Sequence, residues 1–568
     1  MVIPEFDITG PLPMPGTTLL EASAGTGKTW TIAALVARYV VEGVIGLDKM
    51  LVVTFGRAAS QELRERVRDR LVEVEHALAA PPQGKIKDPV LAMALDADEV
   101  ERGVRLRRVR RALTEFDAAS IVTIHQFCHT VLRGLGVAGD TDPSAQLVDD
   151  LDDLLTEVID DIYLKAVTGP GGSEVAERFS RKDAGLVGFA AALRNRLARL
   201  EPTNAPPGSL ASLRRGFADA VRTEFDHRKR RLGLLSYDDL LAQLANALAD
   251  PTSPARQRMH DRWSLVLVDE FQDTDPTQWQ VFERAFHHTP PGAVPTTLVL
   301  IGDPKQAIYA FRGGDVVTYL RAKQVAVQTA TLTQNYRSDQ AVLDAVNVLL
   351  SGAELGDPEI LVHPVTAHHT GTRLVGAKAE PFRMRVLTRS MFEGQEADKP
   401  IKMEPVRRRI ADDLADDVHR VLREHATFDG QRIEAGDIAV LAYKRDELRR
   451  IANALAARGI PSVMAESHTV FTTSAGTDWL TLLEALEQPH RSPRVRAAAL
   501  TPFVGETLTS LAEGGEGLTE SLAERMRDWI EIHRARGIAA VFEAALEEGL
   551  DARLLGQVNG ERRLTDLR

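Results

Sequence analysis

Cysteine is almost missing from this 568-residue chain: there is one, Cys128, which excludes an internal disulfide framework and a thiolate-rich metal site. Aromatic residues are sparse, at 5%. Long apolar runs are also lacking, since none approaches the roughly 18–20 residues that a membrane-spanning helix needs. The opening stretch, MVIPEFDITGPLPMPG, has neither a basic start nor a long apolar segment, so no signal peptide is read there. These absences give the expectation of a cytoplasmic protein. What is present is an ordinary globular balance, 44% hydrophobic and 26% charged, which excludes a mainly disordered or collagen-like chain. A chain of this length is expected to hold about three to five domains.

The formal charge of −12, from 69 basic and 81 acidic residues, argues mildly against a nucleic-acid partner. Net charge describes the whole surface, however, whereas phosphate binding needs only a local basic groove. Arginine clusters in ERGVRLRRVRR (101–111), HRKRR (227–231) and VRRR (406–409). Each reads first as a solvated helix face. Composition leaves the partner open.

Short apolar strands alternate with helices along the first part of the chain. TTLLE (17–21), LVVTF (51–55), ASIVTI (119–124), SLVLVDE (264–270) and TLVLIG (297–302) read as strands, with helices over 31–42 and from Arg57 to His76. Continuous rather than alternating apolar runs predict strands buried on both faces, as in a parallel sheet covered by helices. The fold class is therefore α/β. From about 135 to 260 a Leu/Ala/Arg/Asp-rich stretch with a break at EPTNAPPGS (201–209) reads as a helical insertion. Past 338 more α/β sequence is expected, with strands at FRMRVL (382–387) and DIAVLAY (437–443) around a helix near 404–424. From about 476 the pattern is helical again, broken by EGGEG (513–517).

Ala22-Ser23-Ala24-Gly25-Thr26-Gly27-Lys28-Thr29 fits the phosphate-loop pattern, with Ala22 in place of the first glycine. It follows a strand and opens a helix, as the motif requires. Successive backbone N–H groups there form an anion nest at the positive end of a helix dipole. Lys28 would carry its charge to the β and γ phosphates of ATP, and the Thr29 hydroxyl would bind Mg²⁺. Val266-Leu267-Val268-Asp269-Glu270 ends a buried strand with two carboxylates. In nucleotidases of this class the first acid holds Mg²⁺ and the second orients or deprotonates the attacking water. Alone, such a pair is more often a strand-end turn; beside a phosphate loop it reads as functional.

Asp269-Glu270-Phe271-Gln272-Asp273-Thr274, then the run from Gly302 to Gly313 (GDPKQAIYAFRG), then Asn335-Tyr336-Arg337-Ser338 follow in order, after VVTF (52–55) and TIHQFC (123–128). This series resembles the motifs of superfamily 1 helicases of the UvrD/Rep/RecB group. Within the group LLEASAGTGKTWTIAAL, VDEFQDTDPTQWQVF, GDPKQAIYAFRGGD and GERRLTDLR are most similar to the RecB type of helicase–nuclease subunit. The resemblance implies P-loop NTPase lobes of the RecA-like kind: a first lobe 1A over 1–134 and 261–337, its helical insertion 1B over 135–260, a partial second lobe 2A over 338–475, and a partial helical insertion 2B over 476–568. It implies an ATP- and Mg²⁺-dependent 3′→5′ DNA helicase motor acting on duplex ends and single strands in double-strand-break repair. It also implies RecC-like and RecD-like partner subunits.

The same resemblance assigns roles. Gln306 senses the γ-phosphate, and Arg337 reaches it across the cleft, where the alternative is a structural ion pair. Tyr309 and Phe311 stack on single-stranded bases, with Arg312 beside them; rings two apart on an extended segment point the same way. Phe55 and His125 face the strand, with Thr54 and Thr123 as phosphate donors, although His125 could equally be structural. Arg445, after Tyr443-Lys444, matches a residue that grips the DNA backbone, against the alternative of a surface basic cluster. Gln334, Tyr336, Trp479, Trp529 and Cys128 are expected to pack.

Some features depart from the pattern. Gly56 stands where relatives often carry threonine, and no glutamine-based adenine motif precedes the phosphate loop. The later helicase motifs and the nuclease carboxylates of the family are not found before Arg568, so a fragment or a remainder on another chain is expected, with nuclease activity only in the full-length protein. A non-catalytic DNA-binding scaffold and a monomeric UvrD/Rep-like repair helicase are the competing readings. Intact Lys28, Thr29, Asp269, Glu270, Gln306 and Arg337 count against the scaffold. The long first insertion counts against the monomer.

Overall fold

A computed structural model describes residues 3–82, 84–135, 145–148, 150–192, 206–309, 314–376, 380–392, 400–464, 471, 473–557 and 560–568. The chain divides into two compact units, one of Met1–Leu387 with Ala426–Arg432, the other of Thr388–His425 with Ile433–Arg568. The first unit thus runs past residue 337, the boundary expected for the first lobe.

The first unit is built on a six-stranded sheet. In chain order its elements are β1 (Gly16–Ala22), α1 (Lys28–Glu42), β2 (Met50–Thr54), α2 (Arg57–Ala79), α3 (Pro89–Leu95), α4 (Glu99–Thr114), β3 (Ser120–Thr123) and α5 (Ile124–Leu135). A two-residue ladder, β4 (Gln146–Leu147) with β5 (Leu234–Leu235), brackets the helical insertion. The sheet resumes with β6 (Leu265–Val268), β7 (Thr297–Gly302) and β8 (Gln328–Leu332). The order β3-β2-β6-β7-β1-β8 is parallel throughout. Every strand therefore ends at the same edge, where open parallel sheets place their ligands. Register fixes the level of each end: Glu21 lies beside Gly302, Val268 beside Leu300, and Thr54 beside Thr123.

Alternate strand residues bury on opposite faces, which is why the strands read as continuous apolar runs. Leu19, Leu51, Val53, Val266, Val268, Leu298 and Leu300 meet α5, the helix Tyr237–Ala247 and the rings of Trp263, Phe282 and Phe286. Leu20, Val52, Leu265, Leu267, Val299 and Ile301 meet α1, α2 and α4. Cys128 is fully buried in the first of these cores, the packing role expected for it.

The insertion between β3 and β6 is helical, as its composition predicts, and has its own core of Val158, Ile159, Phe179, Phe217, Val221 and Phe225. A buried ion pair ties it down. Lys229, near the end of the helix Leu210–Leu232, donates to both oxygens of Asp239 at 2.9 and 2.8 Å. Asp239 also closes a capping box with Ser236 at the start of the helix Tyr237–Ala247.

In the second unit the helix Met403–Arg423 packs on Arg445–Ala456 through Ala411, Ala415, Ile451 and Leu455. A separate helical core over 474–568 centres on Leu482, Phe503, Met526 and Trp529. Trp479 packs on Phe503 and donates its indole N–H to the Leu567 carbonyl at 3.0 Å. The expected glycine break appears at Gly515, whose φ of 54° and ψ of −138° interrupt the helix Leu508–Arg536. The strands expected at 382–387 and 437–443 do not form among the described residues. An apolar run becomes a strand only where a neighbouring strand takes up its N–H and C=O groups. Here Leu441 stays 96% exposed and Val386 70% exposed.

Candidate functional site

The turn from β1 to α1 is shaped by two glycines. Gly25 and Gly27 hold φ of 78° and 85°, the left-handed region that β-carbons disfavour. Thr26 braces the loop by donating its hydroxyl to the Ser23 carbonyl at 2.7 Å. The first N–H groups of α1 and the loop open into a cavity of about 760 Å³, whose lining includes Lys28, Thr29, Trp30, Arg70, Glu270 and Arg337.

Across the mouth, β6 delivers Asp269 and Glu270. The Lys28 ammonium donates to Glu270 Oε2 at 2.6 Å. Glu270 adopts φ 48°, a conformation costing a non-glycine residue about 1 kcal/mol, and such strain gathers at functional sites. Burial, and then the neighbouring charge of Glu270, push Asp269 up to about 6. The same two causes raise Asp273 to about 6, and one of its buried oxygens has no hydrogen-bond partner among the described residues. Asp269, Glu270 and Asp273 all feel the charge of the Lys28 ammonium, and Glu270 alone is hydrogen-bonded to it.

Gln306 is linked to Glu270 through Asp303 and Gln272, with its amide donating to Asp303 at 2.8 Å. Asp303 is 1% exposed and also pairs with Lys305 at 2.7 Å.

The NYRS segment lies in β9 (Gln334–Asp339), pressed against the phosphate loop. Asn335 donates to the Ala24 carbonyl at 2.8 Å, and Tyr336 N–H donates to the Gly25 carbonyl at 2.8 Å. Asn335 Oδ1 accepts from the backbone N–H of Arg337 and Ser338 at 2.9 and 2.8 Å. A β-carbon on Gly25 would sit 2.8 Å from Arg337 Cβ, so glycine is needed for this approach. Arg337 is thereby held over the loop. Tyr336 packs on His368, with ring centroids 4.8 Å apart, yet it is 50% exposed and lines the cavity, and Trp30, on the other side of Gly27, is 39% exposed. Trp30 was not singled out from sequence; an aromatic directly after the loop's Lys-Thr is the signal that marks it.

A second concavity, of about 440 Å³, opens beside the ends of β2 and β3. Phe55, Arg57, His125, Gln126, His129 and Tyr237 line it. Phe55 stacks on Tyr309 with centroids 6.4 Å apart and planes at 27°. His125 and Tyr237 are 4.8 Å apart, and burial holds His125 below the usual histidine range. The two threonines are less available than expected. Thr54, 2% exposed, donates to the Gly56 carbonyl at 3.2 Å, and Thr123, 5% exposed, exchanges hydrogen bonds with Gln126. Tyr237, Arg57 and Gln126 were not singled out from sequence, because Tyr237 joins the groove from more than 100 residues beyond β3, at a distance no local pattern encodes. Phe311 and Arg312 lie outside the described residues. Arg445 begins its helix in the second unit and is exposed there.

Several arginines of the first two runs are committed to local structure. Arg105 caps α3 through the carbonyls of Met93 and Ala94, Arg108 takes the Val41 carbonyl at the end of α1, and Arg110 pairs with Glu75. Arg228 is held by Glu157, Asp161 and Glu224.

Residues 10–326 match the family model of the UvrD/REP helicase N-terminal domain. The chain belongs to the UvrD/REP helicase family. The matched span covers the phosphate loop, the acid pair and the segment to Tyr309, whereas β9 with Arg337 lies beyond it. Among curated proteins the chain is similar to the RecBCD enzyme subunit RecB of Mycolicibacterium smegmatis, at 49% identity over 99% of this chain and 50% of that protein. It is 47% identical to RecB of Mycobacterium tuberculosis strain H37Rv, again over 99% of this chain and 50% of the relative. RecB of Escherichia coli is 27% identical over 98% of this chain and 57% of that protein. The chain spans about half the length of the curated mycobacterial relatives it matches.

Proposed function

We propose that this chain is the motor portion of a RecB-type subunit, an ATP-dependent 3′→5′ DNA helicase and translocase that acts at duplex ends in recombinational repair, in the cytoplasm, with RecC-like and RecD-like partners. The observation that carries the reading is the joining of two sites by one short segment. Gly302–Tyr309 starts beside the Lys28–Glu270 pair and ends at the ring stacked on Phe55. Nucleotide chemistry and strand contact thus share a lever. Polarity and partners rest on the likeness to RecB.

In this reading Lys28 leaves Glu270 for the triphosphate, and Glu270 accepts the proton of the attacking water. Arg337, fixed to the loop by Asn335, meets the charge that develops on the γ-phosphate, and Gln306 follows the state of that phosphate. The aromatics Trp30 and Tyr336 offer faces to the nucleobase. Oxygen donors from Thr29 and Asp269, with no group of three metal-binding side chains among the described residues, suit Mg²⁺ held partly by substrate phosphates. When bound, Mg²⁺ supplies charge neutralisation at the β and γ oxygens. Phe55, Tyr309, Tyr237 and His125 hold bases by stacking, which ignores sequence.

The test is strand displacement by the full-length protein on duplexes with a 3′ or a 5′ single-stranded tail. ATP-dependent opening of the 3′-tailed substrate is expected. Opening of neither, with ATP hydrolysed regardless of DNA, would refute the motor reading.

A further inference from the structure

Gln272 is 2% exposed, and both ends of its amide are committed. Its Nε2 donates to Glu270 Oε2 at 2.8 Å, and its Oε1 accepts from the Asp303 backbone N–H at 2.9 Å. The amide therefore bridges the chain leaving β6 to the chain leaving β7. Gly302 makes room for it: a β-carbon there would sit 2.7 Å from Gln272 Oε1 and 3.1 Å from the Gln272 backbone nitrogen. Beyond the bridge, Asp303 holds Lys305 and Gln306, and the segment continues to Tyr309 on Phe55.

We infer that Gln272 is a positioning residue that couples the segment 303–309 to the orientation of the Glu270 carboxylate; this rests on Glu270 being the base. Glu270 Oε2 has two donors, the Lys28 ammonium and the Gln272 amide. A triphosphate entering the loop competes for the ammonium, and the neutral amide stays. An amide is planar and stiff, so a shift of the Asp303 backbone under a DNA-bound Tyr309 moves its other end. Displacements of about 1 Å at a reacting group are enough to change rates about 10²-fold. DNA would thus set the base through Gln272. If the residue only packed and satisfied the Asp303 N–H, a glutamate in its place would serve as well.

The experiment compares Gln272→Glu and Gln272→Met with wild type in the full-length protein. Gln272→Glu keeps the acceptor for Asp303 and loses the donor to Glu270; Gln272→Met keeps the volume and loses both. Single-strand-stimulated kcat should fall about tenfold or more in each, while KM for ATP and Kd for an oligonucleotide stay within about twofold. A Gln272→Glu enzyme with wild-type kcat would overturn the inference. So would a parallel loss of kcat, ATP binding, DNA binding and melting temperature, which would make Gln272 structural. Glu270→Gln is run alongside: if that variant still turns over, the base assignment itself fails, whereas an inactive Glu270→Gln beside a normal Gln272→Glu removes only the coupling.

Discussion

Lys28 and Glu270 stand 242 positions apart in sequence, yet the ammonium of one lies 2.6 Å from a carboxylate oxygen of the other. Strand order explains it. β1 carries the loop and β6 the acid, with β7 alone between them, and all three end at one edge. Each charge of the pair offsets the other.

Breaking the pair from either side should have opposite effects on binding. Glu270→Gln frees the ammonium, so ATP affinity should hold or rise while turnover falls by ~10²-fold or more. Lys28→Ala removes the charge that meets the phosphates, so binding and turnover should both be lost. Fluorescent-nucleotide titration beside steady-state hydrolysis separates the outcomes. Loss of ATP affinity in Glu270→Gln would recast Glu270 as a metal ligand or a structural residue.

Asp273 should make stability depend on pH in a definite direction. Burial first, then the charge of Glu270, raise it to about 6. The folded state therefore binds this proton more tightly than the unfolded chain does. The stabilisation is full below the ordinary carboxylate range and is lost as pH rises from about 4 through 6. Asp273→Asn should accordingly be more stable than wild type at pH 7.5, by on the order of 2 kcal/mol, and level with it near pH 4. Urea unfolding at the two pH values, without nucleotide, checks this.

Phe55→Ala and Tyr309→Ala should each weaken single-strand affinity by ~1–3 kcal/mol, equally for mixed and homopolymeric oligonucleotides. Because the rings stack on each other, the double variant should lose less than the sum of the two. Anisotropy titrations at matched salt give the three values. Unchanged affinity in all three would return the rings to packing.

Much of the first unit was legible because its signals are local. Runs such as Val266–Val268 announce a strand buried on both faces, and Gly25, Gly27, Lys28 and Thr29 announce the loop within eight residues of chain. The strands expected at 382–387 and 437–443 show the limit, since an apolar run does not name its partner. Arginine density is silent in the same way: what Arg105 and Arg108 do depends on which carbonyls lie nearby. Tyr237 and Gln272 reach their sites only through the sheet order and the loop crossings. Tyr336, expected only to pack, also lines the cavity at the β1–α1 turn, because Asn335 pins β9 to the loop beside it.

The most direct test of the account is steady-state ATP hydrolysis by the full-length protein, with and without single-stranded DNA, for wild type, Glu270→Gln and Tyr309→Ala. The account predicts strong stimulation by DNA in wild type, turnover lost in Glu270→Gln at either condition, and stimulation by Tyr309→Ala only at higher DNA concentration. Hydrolysis that is indifferent to DNA, or that persists in Glu270→Gln, would contradict it.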